Sequence, residues 1–341
     1  MKRILLFLLS IALLFSITAC GSEEEPQTSA TQTQEPEPSV TVEAGSPTTG
    51  LPGNTEYKPV AVMIENSSAA RPQTGIQAAD IVYEAPVESS ITRFMCIFND
   101  NYPEVVGPVR SARIYYIKWQ QEWDAAFVHY GGPQDEGRES YIYGDNAASV
   151  KVRINGVWGR DSKFFWRSSA RSAPHNAYTN VAVDVGQIDY TQVALNTLLF
   201  SSTKDYGTST ATRIGIPFSS SNKYFVEYNY DSGKDVYVRS MSGKKFTDAA
   251  TGNAVEVTNV IVQYANVYVI KNDSGGRKNI DLVGEGKAEF FIGGKHITGT
   301  WKKTSYDSGT VFYDDNGKQI ELHPGNTWIH IQPDTNTIVF S

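Results

Sequence analysis

From residue 224 to residue 340 the chain keeps one rhythm: a β-prone run of four to seven residues, a short polar turn, then another run. The runs fall at 224–230, 236–239, 260–264, 267–271, 288–292, 296–302, 310–313, 320–323, 327–332 and 337–340. Asp231-Ser232-Gly233, Ser242-Gly243, Gly275-Gly276, Gly293-Gly294 and Asn316-Gly317 punctuate them. Short runs joined by residues that tolerate positive φ suit antiparallel hairpins and leave little room for helices of ordinary length. This part of the chain is expected to be all or mostly antiparallel β.

Residues 58–205 read differently. β-Prone runs at 60–64, 81–85, 91–98 and 125–130 share this stretch with two helical patterns, one over 112–122 and one from Thr179 or Asn180 to about 200. In the second, Val181, Val185, Ile188, Leu195, Leu198 and Leu199 supply an apolar stripe, and Thr179 or Asn180 supplies a cap. A Ser/Thr-rich connection follows at 201–221. The expectation is an α+β protein: a layered α/β N-terminal domain over 58–205, then a mostly antiparallel β C-terminal domain over 206–341.

The first nineteen residues do not belong to that fold. Lys2-Arg3, an apolar run over 4–17 and the small residues Thr18-Ala19 describe a secretory leader. Cys20 directly after it resembles the lipobox cysteine of bacterial lipoproteins, which implies lipidation of Cys20 and a place at the cell membrane on its extracytoplasmic face. An uncleaved anchor would need about 20 apolar residues, and here the apolar run stops at Cys20; either route attaches the chain to a membrane. Residues 20–57, rich in Glu, Pro, Ser, Thr and Gln, cannot bury enough apolar surface to offset chain entropy and are expected to form a disordered tether.

Charge follows the same division. The formal net charge is −7, but residues 21–57 hold seven glutamates and no Lys or Arg, so from Lys58 onward 28 basic side chains face 30 acidic ones. A near-neutral body lacks the basic footprint of a nucleic-acid binder. Cys96, the second cysteine, sits in Phe94-Met95-Cys96-Ile97-Phe98 and reads as a small buried hydrophobe rather than a nucleophile.

Cations change character along the chain. Residues 58–200 carry nine Arg and four Lys, whereas residues from 222 onward carry two Arg and eleven Lys. Arginine suits bidentate recognition of anions and lysine more often decorates a solvated surface, so any chemistry is assigned to the first domain. There, Gly107-Pro108-Val109-Arg110-Ser111-Ala112-Arg113 leads into a helix, and its N–H groups with Arg110 and Arg113 could hold an anion, unless both arginines are spent on Glu84 or Glu88. Glu84 and Arg93 lie on neighbouring β-prone runs; His129 ends another just before Gly131-Gly132; Arg171, His175 and Asn176 precede the second helical pattern. These eight residues, Arg110, Arg113, Glu84, Arg93, His129, Arg171, His175 and Asn176, form the candidate ligand-binding set.

No metal and no cofactor is expected. His129 and His175 are 46 residues apart, and no HExxH, CxxC, P-loop, GxSxG elbow or complete dinucleotide fingerprint occurs. Trp301 and Trp328 each follow a glycine turn and fit either a β core or, if exposed, a stacking surface.

The segments Val60-Ala61-Val62-Met63-Ile64-Glu65-Asn66 with Arg71-Pro72, Ala79-Asp80-Ile81-Val82-Tyr83-Glu84, Thr92-Arg93-Phe94, Gly107 to Arg113, Ala173-Pro174-His175-Asn176 and Pro324 to Trp328 resemble the YerB-like lipoproteins, a family of unknown function. The resemblance implies an α/β N-terminal domain and a β-rich C-terminal one, and it supplies no reaction, cofactor or catalytic residue. Two functions fit the residues. One is a binding or accessory lipoprotein holding an anionic wall component, metabolite or protein partner through its Arg-rich domain. The other is an envelope hydrolase using Glu84 or Glu88 with His129 or His175 as acid and base.

Overall fold

The computed structural model describes residues 45–196, 198–219 and 222–341. The leader, Cys20 and the tether as far as residue 44 lie outside the described residues.

At the centre is a ten-stranded mixed sheet. Its order is Val311–Asp314, Lys295–Lys303, Gly284–Ile292, Asn259–Ala265, Thr327–Pro333, Ile81–Pro86, Thr92–Phe98, Val60–Glu65, Ala126–His129, Arg153–Asn155. Val60–Glu65, Ile81–Pro86, Thr92–Phe98 and Asn259–Ala265 are buried at every position. That explains why apolar residues stand at adjacent positions in them, since a strand covered on both faces has no solvent side to alternate with. The two halves of the chain are stitched in the middle, where Ile81–Glu84 runs parallel to Thr327–His330 and the latter strand also runs parallel to Asn259–Ala265.

Period-two alternation sorts the core into two layers. Val60, Val62, Ile64, Val82, Phe94, Cys96 and Trp328 pack with Ile214, Val226, Tyr228 and Tyr237. These last four belong to a second, antiparallel sheet ordered Lys244–Lys245, Val236–Met241, Phe225–Asp231, Arg213–Pro217, Val339–Phe340. Ala61, Met63, Tyr83 and Met95 face the other way, onto Tyr115, Tyr116, Trp119 and Trp123 of the Ile114–Trp123 helix. Cys96 is a buried, free thiol and Trp301 and Trp328 are both buried, so all three fill the core.

The α/β layering expected of 58–205 holds only in part: strands far outnumber helices among the described residues, in large mixed and antiparallel sheets, and the one helix of ten residues, Ile114–Trp123, packs on the central sheet. The long second helix is absent. Asn180 does cap a helical start, accepting from Val183 N at 3.1 Å, but the helix is only Val181–Asp184 and passes into a single 3-10 turn, Val185–Gln187. Beyond it the chain is claimed by tertiary hydrogen bonds. Gln192 Nε2 donates to Pro59 O and Asp124 O, Val193 N to Asp124 Oδ2, and Leu195 N and Asn196 N both to Glu122 O. Val181 and Ile188 still reach the core, but Leu195 and Leu199 are left exposed, so the apolar stripe does not form one continuous core face.

The chain also joins the fold earlier than residue 58. Ser46, Thr48 and Thr49 are buried, and their hydroxyls donate to Asp100 and Asp80 at 2.6–2.7 Å.

Candidate functional site

The candidate residues fall into separate groups. Glu84 lies within the central strand Ile81–Pro86 and is fully buried; its Oε2 accepts from Arg239 Nη2 at 2.6 Å and lies 3.2 Å from His330 Nδ1, and its Oε1 accepts from Thr92 Oγ1 at 2.7 Å. Burial raises its pKa, but Arg239 and the hydrogen bonds outweigh that and hold it below the usual carboxylate range. This is a structural ion pair with no open approach. His129 is buried too, with Nδ1 2.7 Å from Gly131 O and Nε2 accepting from Arg153 Nε at 2.9 Å. Burial first and Arg153 second push its pKa down to about 3, so it stays neutral.

Arg93 and Arg113 converge on Glu88. Arg113 grips the carboxylate through Nε at 2.7 Å and through Nη2, while Arg93 Nη1 donates to Ser111 O and its Nη2 lies 3.9 Å from Glu88. The anion placed by sequence at the start of the Ile114–Trp123 helix is therefore Glu88 itself. Among the described residues neither Glu84 nor Glu88 forms a hydrogen bond or ion pair with His129 or His175, so the acid–base set named for a hydrolase does not assemble.

What does assemble lies around Glu65, the last residue of its strand. His175 Nδ1 is 2.9 Å from Glu65 Oε1, Ser67 Oγ donates to the same oxygen at 2.9 Å, and Arg110 Nε lies 3.6 Å from Oε2. The 168–176 loop delivers His175: Asn176 Nδ2 donates to Ser168 O and Arg171 O, Asn176 Oδ1 accepts from Arg167 Nη1, and Arg171 donates to Ala69 O and Pro72 O. Cis peptide bonds precede Pro72, Pro108 and Pro174 in the three segments that meet here. Four sequence candidates, Arg110, Arg171, His175 and Asn176, thus share one locality. His175 and Arg110 keep just over a quarter of their side-chain surface in solvent.

Beside this locality is a cleft of about 500 Å³ where the 68–72 segment meets residues 223–224 and 241–247. Asp248, which follows the lining residue Thr247 but does not itself line the cleft, is occupied elsewhere, accepting from Gly75 N and Gln77 N, both at 2.9 Å. Four cations line it, Arg71, Lys223, Lys244 and Lys245, with the hydroxyls of Ser68, Ser242 and Thr247 and the apolar groups of Pro72, Tyr224, Met241 and Phe246; the lining has no carboxylate. Arg71 is held in place: Nε and Nη2 donate to Asn66 Oδ1 and Asn66 O at 3.0 and 2.8 Å, and its guanidinium lies 5.0 Å from the Tyr224 ring centre. Its Nη1 has no hydrogen-bond partner among the described residues.

The lysines from residue 222 onward divide into five that are ion-paired and six that form no ion pair among the described residues. Lys234, Lys287, Lys302, Lys303 and Lys318 each pair with a glutamate. The six are Lys271, Lys278 and Lys295 with Lys223, Lys244 and Lys245 of the cleft. Ser240 and Met241, opposite Lys245 and Lys244 across the strands, offer no charge to pair with. Sequence reasoning set these lysines aside as solvated surface and left Glu65 and Arg71 out of the site. The available signal was two adjacent lysines after the Ser242-Gly243 turn, in a stretch with no acidic residue between Asp235 and Asp248. Among the described residues no group of three or more His, Cys, Asp or Glu is placed to hold a metal, and no helix is long and apolar enough to cross a membrane.

Comparison with known proteins gives a consistent picture. Two family models match: "Protein of unknown function (DUF3048) N-terminal domain" over residues 48–193 and the C-terminal domain of the same family over 214–329. The chain is 35% identical over 304 residues to "Putative lipoprotein YerB" of Bacillus subtilis (strain 168), covering 87% of this chain and 88% of that protein. The crystal structure of YerB from Bacillus subtilis superposes with a TM-score of 0.73 at 34% identity, covering 87% of this chain and 99% of the crystallised one.

Proposed function

The chain belongs to the DUF3048 family of YerB-like lipoproteins, and from that premise we propose that it is a lipid-anchored binding module on the extracytoplasmic face of the cell membrane. Its lipid is carried by Cys20, and its body holds an anionic envelope ligand or the anionic part of a protein partner. The observation that carries this reading is the cleft: four cations, one of them preset by Asn66, with no carboxylate in the lining. Fixed charge of one sign in a concave site focuses potential and attracts the opposite sign. The charge belongs to the joint between the halves rather than to the Arg-rich half alone.

Calorimetric titration of residues 45–341 with pyrophosphate and with soluble wall fragments tests it. Binding that weakens with salt and falls at least tenfold in an Arg71→Ala, Lys244→Ala, Lys245→Ala triple variant supports the cleft. Binding unchanged in that variant moves the ligand elsewhere, and no binding of any anion removes the reading. Radiolabelled palmitate incorporation, lost in Cys20→Ser, checks the anchor.

A further inference from the structure

The cleft is only half ionic, and its other half says what the anion is attached to. Tyr224, Met241 and Phe246 line it beside the cations, yet they are only 7%, 3% and 4% exposed. They form a floor, set into the core rather than projecting from it: the Phe246 ring lies edge-on to Phe94 at 6.0 Å and to Trp328 at 6.4 Å, and the Arg239 guanidinium is 4.1 Å from its centre. A site for a small inorganic ion has no use for such a floor, because the ion keeps its own water on every side the protein does not replace. A stacking site for an aromatic base needs an exposed ring face, and rings this deeply set offer only narrow strips. A flexible hydrocarbon chain can follow strips.

Resting on the anion-binding reading, we propose that the ligand is an anionic amphiphile: a phosphate-class headgroup at Arg71, Lys244 and Lys245, with its apolar chain lying over Tyr224, Met241 and Phe246. The parts are preorganised for this. Arg71 is tied to Asn66 and keeps one nitrogen free, the lysines have no internal partner, and the floor does not have to be assembled on binding. Headgroup and chain are then read independently, the first by charge and the second by apolar burial, which is worth about fourfold in affinity for each CH2 removed from water. Two sources have this chemistry: a lipid headgroup still in the bilayer, and a phosphorylated amphiphile free in solution.

The test uses residues 45–341, which lie within the single compact unit Glu43–Ser341 and match in extent the 87% of this chain that the crystallised relative covers. Inorganic phosphate and n-octyl phosphate below its micellar concentration are titrated in parallel, and sedimentation with phosphatidylglycerol or phosphatidylcholine vesicles follows. Octyl phosphate is expected to bind at least tenfold more tightly than inorganic phosphate, and Lys244→Ala with Lys245→Ala, both exposed, to weaken both ligands together. Met241→Ser is expected to lower the octyl advantage alone; should that variant not fold, the ratio of the two ligands on the unaltered chain decides. Equal binding of the two ligands overturns the amphiphile while leaving the anion site standing, and binding of neither overturns both. Pelleting with phosphatidylglycerol but not phosphatidylcholine vesicles, relieved by octyl phosphate, assigns the bilayer as source; octyl phosphate binding without pelleting assigns the free amphiphile.

Discussion

Glu84 and Arg239 meet at 2.6 Å with neither side chain exposed, and they come from opposite halves of the chain. The guanidinium is boxed by the rings of Phe94, Phe246 and Trp328 at 5.5, 4.1 and 4.8 Å, and the carboxylate is further bound by Thr92 and Asn66. A buried pair gains little over an apolar pair of equal volume, but removal of one member strands the other without water. Arg239→Met alone and Glu84→Gln alone are each expected to cost about 3–5 kcal/mol. The double variant should cost clearly less than their sum. Urea unfolding midpoints of the three chains measure this, and strict additivity would show that the pair is not coupled.

Asp184 sets a pH dependence of opposite sign to an ordinary salt-bridged carboxylate. It is buried, its Oδ2 accepts from Thr179 Oγ1 at 2.7 Å, and burial pushes its pKa from 3.8 up to about 7. Thr179 Oγ1 also reaches Phe164 O at 3.0 Å, and its single proton can serve that carbonyl only when Asp184 brings a proton of its own. Between pH 4 and 7 the native state thus holds a proton that the unfolded chain has released. The contribution is complete below the unfolded pKa and is lost as pH rises through 7. Asp184→Asn should flatten the fall in stability between pH 4.5 and 7.5 and leave the protein a few kcal/mol more stable than the unaltered chain at pH 8. Asp80, raised to about 7 by burial and then by Asp100, keeps a residual slope of the same sign. Thermal midpoints across that range are the measurement, and parallel curves for the two chains would refute the assignment.

Gly299 marks a place where backbone proximity, not turn geometry, demands glycine. It lies within the Lys295–Lys303 strand opposite Ala288 and Asp314, and a Cβ there would stand 2.0 Å from Tyr313 O. Gly299→Ala has to push the outermost strand away. It is expected to cost about 1–3 kcal/mol and to raise hydrogen exchange across Val311–Asp314 while Ile81–Pro86 stays protected. Unchanged exchange at that edge would contradict the contact.

What the sequence made legible was local. The runs at 60–64, 81–85 and 91–98 announce themselves as strands because both faces are buried, and the 112–122 pattern matches the Ile114–Trp123 helix. The helix expected to reach residue 200 had the right spacing, but Asp124 and Glu122 bind its middle as extended chain, and no local pattern encodes a partner some seventy residues earlier. The shared sheet is hidden for the same reason: the pairing of Ile81 with Thr327 joins distant segments that each look complete in their own half. At the candidate site, residue type misled. Arginines of the first half were expected to bind ligand, yet Arg93 and Arg113 are spent on Glu88 and on backbone carbonyls, while unpaired lysines of the second half line the cleft. Which cation is free depends on which carboxylate folds beside it.

That dependence gives a prediction for Glu65. Its carboxylate anchors His175 and Ser67 and faces Arg110, so it is the negative charge built into this locality. Its field reaches the cleft: it helps raise the pKa of Tyr224, a cleft residue whose shift is set first by burial, with Arg71 acting in the other direction. Glu65→Gln keeps the size of the side chain and an acceptor oxygen for Ser67 while removing the charge. Two effects should separate. Loss of the charge-assisted bond should loosen the 168–176 loop, seen as faster hydrogen exchange there, at a cost of about 1–3 kcal/mol in stability. The cleft should at the same time bind pyrophosphate several-fold more tightly at low salt, with the gain fading as the Debye length shrinks from about 30 Å at 0.01 M to about 8 Å at 0.15 M. A variant that loosens the loop and weakens anion binding would instead make Glu65 and His175 part of the grip on the ligand, because the sign of the affinity change distinguishes a competing charge from a positioning one.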